Sequence, residues 1–303
     1  MKKKLLVATL ALSMALPLGV VNAAVPKMLK ADMPIEVLYN ARKIAFDVKP
    51  KMVDGTVLIP VRYVSEKLQA TVAQQGNTIL VSKGSKTIKL TIESKVAEIN
   101  GKSVALPQPA IVEQGRTLVP IRVISEGLGV AVEWDSELRF VWIGSKEVPE
   151  LNDIISPVNI KPYLAYFKGG EYLLDDGLGD YTKASIVRNE DFPFKVGVVT
   201  YFKLDLAYDS SENVYLRTVI KTNFERGSDC FYLKKNTVPK KGVSLNYLRE
   251  HVSKGIHINF NDVSALGNSK IFKENKVEYI GIRTSNRLKD GTGSVILIDN
   301  PWR

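Results

Sequence analysis

Cysteine and histidine are scarce in this 303-residue chain, which contains one cysteine and two histidines. Because Cys230 has no second cysteine to pair with, the fold must be held by its apolar core rather than by an internal disulfide. Its strand-like context indicates a small buried apolar residue. The chain also lacks a Gly-x-Ser-x-Gly elbow, a zinc-protease helix motif and a nucleic-acid-binding motif. These absences favour a non-catalytic protein that does not bind nucleic acid.

Long apolar runs are absent too, apart from one near the N-terminus. Lys2, Lys3 and Lys4 precede an apolar run over 5–21, and Val21 and Ala23 place small side chains before a cleavage point. This arrangement is typical of a secretory signal peptide, so we predict cleavage after Ala23. The alternative is a membrane anchor, although the run is at the short limit for crossing a bilayer. The sequence therefore predicts a secreted, extracellular protein with no membrane span after cleavage.

The formal charge of the chain is +10, and it falls to +7 without the three lysines of the leader. A basic surplus favours contact with anionic polymers such as those of a bacterial wall. The charges are scattered along the sequence, so they do not by themselves mark a binding site.

An internal repeat organises the first half, since the chain matches itself after a shift of sixty residues. We take the two copies as 35–82 and 95–144. The matches without a gap are Gly55 with Gly115, Leu58 with Leu118, Pro60 with Pro120, Arg62 with Arg122, Ser65 with Ser125, Glu66 with Glu126 and Leu68 with Leu128. One structural unit therefore occurs twice.

Each copy has local signals for a short helix between strands. Pro60 and Pro120 suit the first turn of a helix, where the missing N–H costs nothing. After them, apolar residues recur with helical spacing and end in Leu68 and Leu128, which we expect to be buried. In the second copy Asn100-Gly101 predicts a tight hairpin, whereas Asn40-Ala41 predicts a different turn because alanine tolerates positive φ poorly.

These residues carry a family resemblance. Asn100-Gly101-Lys102, the run 115–129 (Gly-Arg-Thr-Leu-Val-Pro-Ile-Arg-Val-Ile-Ser-Glu-Gly-Leu-Gly) and Val132-Glu133-Trp134-Asp135 resemble the copper amine oxidase N-terminal domain, also called a stalk domain. The resemblance implies a small antiparallel sheet wrapped around one helix in each copy. It implies no chemistry, because this domain is an appendage to the oxidase.

The oxidase activity itself is not expected here. The catalytic domain of that family uses three copper-binding histidines and a tyrosine in an Asn-Tyr-Asp/Glu context. This chain has only His251 and His257, and Asn246-Tyr247 is followed by Leu248. We therefore expect no copper, no quinone and no other cofactor.

The second half is rich in aromatic residues, with 19 of the 25 in the chain lying after Pro157. Strand-like runs occupy 194–206, 214–224, 230–234, 256–260, 277–284 and 294–298, and 243–254 predicts a short helix. The last two runs are similar to the final strands of jelly-roll carbohydrate-binding modules. The predicted fold class is therefore α+β, with tandem small sheets followed by a mostly-β sandwich or jelly-roll-like domain.

Two groups of candidate site residues lie in this second half. Four tyrosines could stack on sugar rings or pack in the core: Tyr163, Tyr166, Tyr172 and Tyr181. Four aspartates offer oxygen ligands for a structural Ca²⁺, the first three from an acidic turn and the last by the jelly-roll resemblance: Asp175, Asp176, Asp180 and Asp299. For the acidic turn, the simpler interpretation is a solvent-exposed loop.

The predicted organisation is a signal peptide over 1–23, a linker over 24–34, the repeat over 35–144, a second linker over 145–157 and a β-rich ligand-binding domain over 158–303. We predict a cell-wall-associated protein whose repeat is a spacer or wall contact and whose last domain binds a cell-wall or extracellular polysaccharide. The alternatives are a wall hydrolase with its catalytic site in 158–303 and a purely structural envelope protein.

Overall fold

The computed structural model describes residues 33–223, 230–245, 250–251, 255–263, 266 and 276–303. The predicted signal peptide and nearly all of the first predicted linker lie outside the described residues. No helix of the described part has the length and apolar composition needed to cross a membrane.

The two copies of the repeat fold into the same series of elements, so the sixty-residue shift is confirmed. The first copy contains β1 Glu36–Tyr39, β2 Arg42–Lys43, β3 Lys51–Val53, β4 Thr56–Pro60, α1 Val61–Lys67, β5 Thr71–Gln75 and β6 Thr78–Lys83. An additional strand, β7 Lys86–Thr91, joins it to the second copy. That copy contains β8 Val96–Ile99, β9 Lys102–Ala105, β10 Ile111–Glu113, β11 Arg116–Pro120, α2 Ile121–Leu128, β12 Val132–Asp135 and β13 Phe140–Ile143.

The sheets of the repeat are shared between the copies. A central sheet has the strand order β10-β11-β4-β3, and a second joins the copies as β12-β13-β1-β2. A third has the order β5-β6-β7-β8-β9, in which β7 separates the strands of the first copy from those of the second. The predicted β-rich α+β architecture with small sheets is confirmed. The expectation of one antiparallel sheet in each copy is corrected, because every sheet combines strands of both copies and β1 pairs in parallel with β13.

A local two-fold axis relates the copies at the centre of this arrangement. β4 and β11 pair in antiparallel, with Ile59 opposite Val119, and these two residues are equivalent in the repeat. Leu58 pairs with Pro120 just as Pro60 pairs with Leu118. Because equivalent residues face each other, the two copies make equivalent contacts across this strand pair.

The helices begin one residue later than expected. Pro60 and Pro120 are the N-caps of α1 and α2 rather than residues of the first turn, and neither cap makes a side-chain hydrogen bond. Proline fits this position because its extended backbone ends the preceding strand and its lack of an N–H leaves no donor unsatisfied. Gly129 ends α2 in the left-handed region with φ 72°.

The turn of the first copy corrects one expectation. Asn40 and Ala41 have φ values of 48° and 58°, close to the 50° and 78° of Asn100 and Gly101, so both copies make the same kind of turn. A left-handed conformation costs alanine about 1–2 kcal/mol. The Ala41 side chain is fully buried where the repeat meets the second domain, and this packing offsets the strain.

The second domain is built around one large sheet. Its elements are α3 Leu151–Ile154, β14 Val158–Asn159, two 3₁₀ helices at Lys161–Tyr166 and Glu171–Leu174, β15 Tyr181–Val187, a 3₁₀ helix at Asn189–Asp191, β16 Phe194–Val196, β17 Val199–Tyr208, β18 Val214–Lys221, β19 Cys230–Leu233, β20 Lys240–Ser244, β21 Glu250–His251, β22 Ile256–Asp262, β23 Tyr279–Ile282 and β24 Gly293–Asp299. The strand order is β14-β15-β24-β23-β19-β20-β22-β18-β17-β16, with β21 paired to β22.

The sheet folds over on itself at β20, which pairs with β19 through one part and with β22 through another. Apolar residues from both halves meet in one core, for example Tyr232 and Ile296 from one half and Leu204 and Leu216 from the other. Cys230 lies in this core, as predicted. The domain thus resembles a sandwich made from one continuous sheet.

Two expectations for this domain need correction. The jelly-roll resemblance is not confirmed, since β24 pairs in parallel with β15 whereas jelly rolls are antiparallel. The predicted helix over 243–254 is not present in its described part, where 243–244 end β20 and 250–251 form β21. Residues 246–249 and 252–254 of that segment lie outside the described residues.

The repeat and the second domain meet through a continuous apolar core, which we call the junction. Leu38, Phe140 and Trp142 of the repeat pack with residues of β17, β18 and β22, including Phe202 and Phe260. The segment 145–157, predicted as a linker, buries Val148 in this junction and Leu151 in the core of the second domain.

Candidate functional site

A surface groove, here called the first groove, is lined by residues from all three sheets of the repeat. It has a volume of about 300 Å³. One wall is the start of α2, from Pro120 to Glu126, and another comes from β12 with Trp134. Val104 of the edge strand β9 and the turn at Gly55 complete it. The groove therefore exists only when both copies are folded together.

The first groove is lined mainly by apolar side chains, together with two charged ones. Trp134 is half-buried and presents part of its ring, while Ile99 and Val104 add aliphatic surface. Arg122 and Glu126 are both exposed and supply one guanidinium and one carboxylate. A ligand with an apolar face and hydroxyl or amide edges matches this combination, as in most small-molecule sites.

Sequence reasoning did not identify this groove. The Arg122 and Glu126 positions were recognised only as matches between the copies, and Trp134 only as part of the family motif. Gly55 is far from these residues along the chain, and nothing local in the sequence brings it beside them. The sequence did contain one relevant signal, the recurrence in both copies of an arginine and a glutamate four residues apart.

The four candidate tyrosines do not form a common exposed surface. Tyr166 and Tyr181 are core residues, and their hydroxyls donate to Glu278 Oε2 at 2.5 Å and to the Thr284 carbonyl at 3.1 Å. Tyr163 is half-buried against the ring of Tyr279. Only Tyr172 is well exposed, with 62% of its surface accessible. Tyr163 and Tyr166 of the first 3₁₀ helix and Tyr181 of β15 pack in one apolar cluster against this part of the sheet.

The acidic turn is organised by an arginine. The carboxylate of Asp176 accepts hydrogen bonds from Arg287 and, at 2.7 Å, from the Ser285 hydroxyl. The Arg287 hydrogen bonds hold the pKa of Asp176 well below its usual range. Asp175 accepts from the Gly177 N–H at 2.7 Å, and Asp180 is exposed. Asp176 is thus neutralised by Arg287 within the protein.

The fourth aspartate, Asp299, forms a separate ion pair with Arg303 at 2.9 Å. Within the ranges that the structure describes, no group of three or more His, Cys, Asp or Glu side chains is arranged to hold a metal ion. The candidate Ca²⁺ ligands therefore do not come together as a set in that part of the chain.

The junction contains a set of buried charges that the sequence did not reveal. Arg217 donates to Asp205 from Nε at 2.7 Å and from Nη2 at 2.6 Å, across β17 and β18. Lys203 Nζ donates to the Pro34 carbonyl at 2.7 Å and lies 3.6 Å from Glu36 Oε2. The same ammonium lies 4.5 Å from the centre of the Phe140 ring. These contacts tie the second domain to the beginning of the repeat.

Lys203 gives the junction a testable pH dependence. Burial lowers the pKa of Lys203 from 10.5 to about 8, against the opposing attraction of Glu36 and Asp205. Between these values the folded state binds fewer protons than the unfolded state, so the stability of the wild type should rise with pH. Relative to Lys203→Met, we expect a gain of about 3 kcal/mol between pH 7 and pH 11, measured by urea unfolding. Parallel pH profiles for the two proteins would contradict the assignment.

The comparisons with known proteins agree with the repeat. Residues 38–143 match the family model of the copper amine oxidase N-terminal domain. This confirms the resemblance over a little more than a third of the chain, and the match covers none of the catalytic part of that family. A search of curated proteins found no match.

Proposed function

We propose that this is a secreted, non-catalytic protein that stays attached to the bacterial cell wall by binding wall polysaccharide through its repeat. The observation that carries the proposal is the first groove, where the ring of Trp134 lies beside the exposed Arg122 and Glu126. Aromatic and aliphatic surface suits the apolar face of a sugar ring, and the two charged side chains suit its hydroxyl groups. Recognition thus belongs to the repeat rather than to the tyrosines of the second domain.

The signal-peptide pattern of the first 23 residues supports export. The family to which the repeat is similar supports a non-catalytic role in attachment to the wall. The matched domain type is an appendage to its enzyme and is compatible with a non-catalytic, stalk-like part. In the second domain, two carboxylates with little exposure are each neutralised by an arginine, Asp176 by Arg287 and Asp205 by Arg217. Neither of these two carboxylates is therefore free to act as the acid or base that glycoside hydrolysis requires.

Basic charge offers a different route to the wall, and salt separates the two. Attraction between exposed charges is screened over about 8 Å at physiological ionic strength and about 3 Å at 1 M. Contact between a sugar face and an indole ring is not weakened by this screening of charges. Retention that survives high salt is therefore the signature of the groove.

The test is retention of residues 24–303 on purified cell walls and on a panel of insoluble polysaccharides at low salt and at 1 M NaCl. We expect retention at both salt concentrations, and a clear loss for Trp134→Ala but not for the exposed control Tyr172→Ala. Protein recovered from the walls of the producing cells should begin at Ala24. Complete release at 1 M NaCl, or equal retention of Trp134→Ala, would contradict the proposal.

A further inference from the structure

We infer that the repeat has two sugar-binding sites, one in the first groove and one in a second groove related to it by the local two-fold axis. This inference rests on the proposed function and extends it from one site to two. The second groove has a volume of about 380 Å³ and is lined by the start of α1, by β5 and by the turn that opens β11.

The two grooves are the same site built twice. Every residue that lines the second groove has its equivalent, after the shift of sixty, among the residues that line the first. In each groove, a helix of one copy faces a turn of the other, with Arg62 and Glu66 opposite Gly115 in the second as Arg122 and Glu126 are opposite Gly55 in the first. Both grooves follow from the antiparallel pairing of β4 with β11, in which Ile59 lies opposite Val119.

The repeated charges are at the surface, where the core does not require them. Arg62, Glu66, Arg122 and Glu126 are all exposed, and each pair is four residues apart on its helix. The identical residues beside them, such as Ser65 and Ser125, are buried and serve the core, whereas exposed positions elsewhere differ, as with Lys67 at the position of Gly127. A shared ligand explains why this one exposed pair occurs in both copies.

Each groove also has one aromatic ring, although the two rings come from different positions. The first groove has Trp134 on β12, and the second has Tyr63 on α1. The ring of Tyr63 is half-buried and packs edge-on against Phe46, with the ring centres 5.6 Å apart. An aromatic ring, a guanidinium and a carboxylate are therefore present in both.

The charges indicate an uncharged ligand. The first groove is lined by one cation and one anion, and the additional cation of the second groove, Arg116, is neutralised by Asp47 at 2.7 Å. A phosphodiester polymer would favour a net positive lining, as anion sites do. Balanced charges beside an aromatic ring fit a neutral N-acetylhexosamine or hexose, whose hydroxyl groups and, in the former, amide group take the hydrogen bonds.

The two sites should differ in preference. Val104 and Pro107 give the first groove an apolar side that the second lacks, while Gln74 and Thr117 make the second more polar. The first groove is therefore the better site for an N-acetyl methyl group. Two unequal sites on one chain also allow a polymer to bind more tightly than either site alone.

The test is calorimetric titration of residues 24–303 with soluble β-1,4-linked N-acetylglucosamine oligomers. We expect two sugar chains bound per protein, with different affinities. Arg122→Ala and Arg62→Ala each remove an exposed side chain from one groove. Each variant should lower the affinity of that groove by about tenfold or more, because a hydrogen bond to a charged group is lost. The affinity of the other groove should not change. The control Arg188→Ala, an exposed arginine outside both grooves, should change neither.

The outcomes separate this inference from the proposed function. One bound chain per protein, or no effect of Arg62→Ala at either site, overturns the second site while wall retention can still hold. Absence of oligomer binding overturns both sites, and retention on walls then requires another surface. Two-site binding of oligomers without retention on walls supports the inference and overturns the proposed attachment.

Discussion

Replacing Arg217 by leucine is expected to lower the free energy of unfolding by about 3–5 kcal/mol. The guanidinium is fully buried and is the bidentate partner of Asp205. Burial already raises the pKa of Asp205 against the opposing effect of Arg217. Without the arginine, the buried carboxylate loses both guanidinium hydrogen bonds. It keeps only the weaker attraction of Lys203, whose ammonium is bound to Pro34 and paired with Glu36.

The loss should depend on pH in a defined direction. In Arg217→Leu the folded-state pKa of Asp205 rises further above its unfolded value, so the folded state binds more protons between the two values. Stability then falls as pH rises through that window, and the loss is smaller in acid than at neutral pH. Urea unfolding at pH 4 and pH 7 measures this difference.

Two further variants test the cause. Arg217→Leu combined with Asp205→Leu should recover much of the loss, because apolar residues of similar size replace both charges. Arg188→Leu, at an exposed position, should change stability by no more than about 0.5 kcal/mol. A loss that persists unchanged in the double variant would mean that packing around Arg217, and not the stranded charge, is responsible.

The sequence predicted those features of the repeat that depend on local chemistry. Asn100-Gly101 makes the expected turn, and Pro120 marks the strand-to-helix boundary. Sharing of the sheets could not be predicted in this way, because the pairing of β1 with β13 joins residues about a hundred positions apart. The first groove was missed for the same reason.

One difference between the copies becomes clear only from the fold. Gly127 of α2 occupies the position of the exposed Lys67 in α1. A Cβ at Gly127 would lie 2.5 Å from the side chain of Ile88 on β7, the strand that is present beside α2. The additional strand therefore requires a residue without a side chain, and this is why the two helices differ at an otherwise matching position.

In the second domain, burial explains both the success and the failure of sequence reasoning. β18 is buried from Val214 to Ile220 between the domain core and the junction, so it appears as a long, mostly apolar run. β22 instead alternates, with Ile256, Ile258 and Phe260 in the junction and buried polar residues between them. β15 was missed because Thr182, Lys183 and Ser185 interrupt its apolar pattern. The buried Ser185 is instead hydrogen-bonded to Ser294 at 2.9 Å.

Leu128→Ala is expected to lower the free energy of unfolding by about 2–5 kcal/mol, the usual cost of a cavity at a packed leucine. Leu128 and its equivalent Leu68 are 3% and 2% exposed and lie in one core that contains residues of both copies. Leu80→Ala, at a position that is 41% exposed, is the matched control and should cost far less.

The shared core also predicts that the two copies unfold together. Because β4 pairs with β11 and both helices lie in the same cluster, neither copy can keep its core when the other unfolds. Leu68→Ala and Leu128→Ala should therefore shift the same cooperative transition of the repeat by similar amounts in urea. Two separate transitions, each moved by only one of the variants, would mean that the copies fold as independent units and that the grooves between them are not preserved in solution.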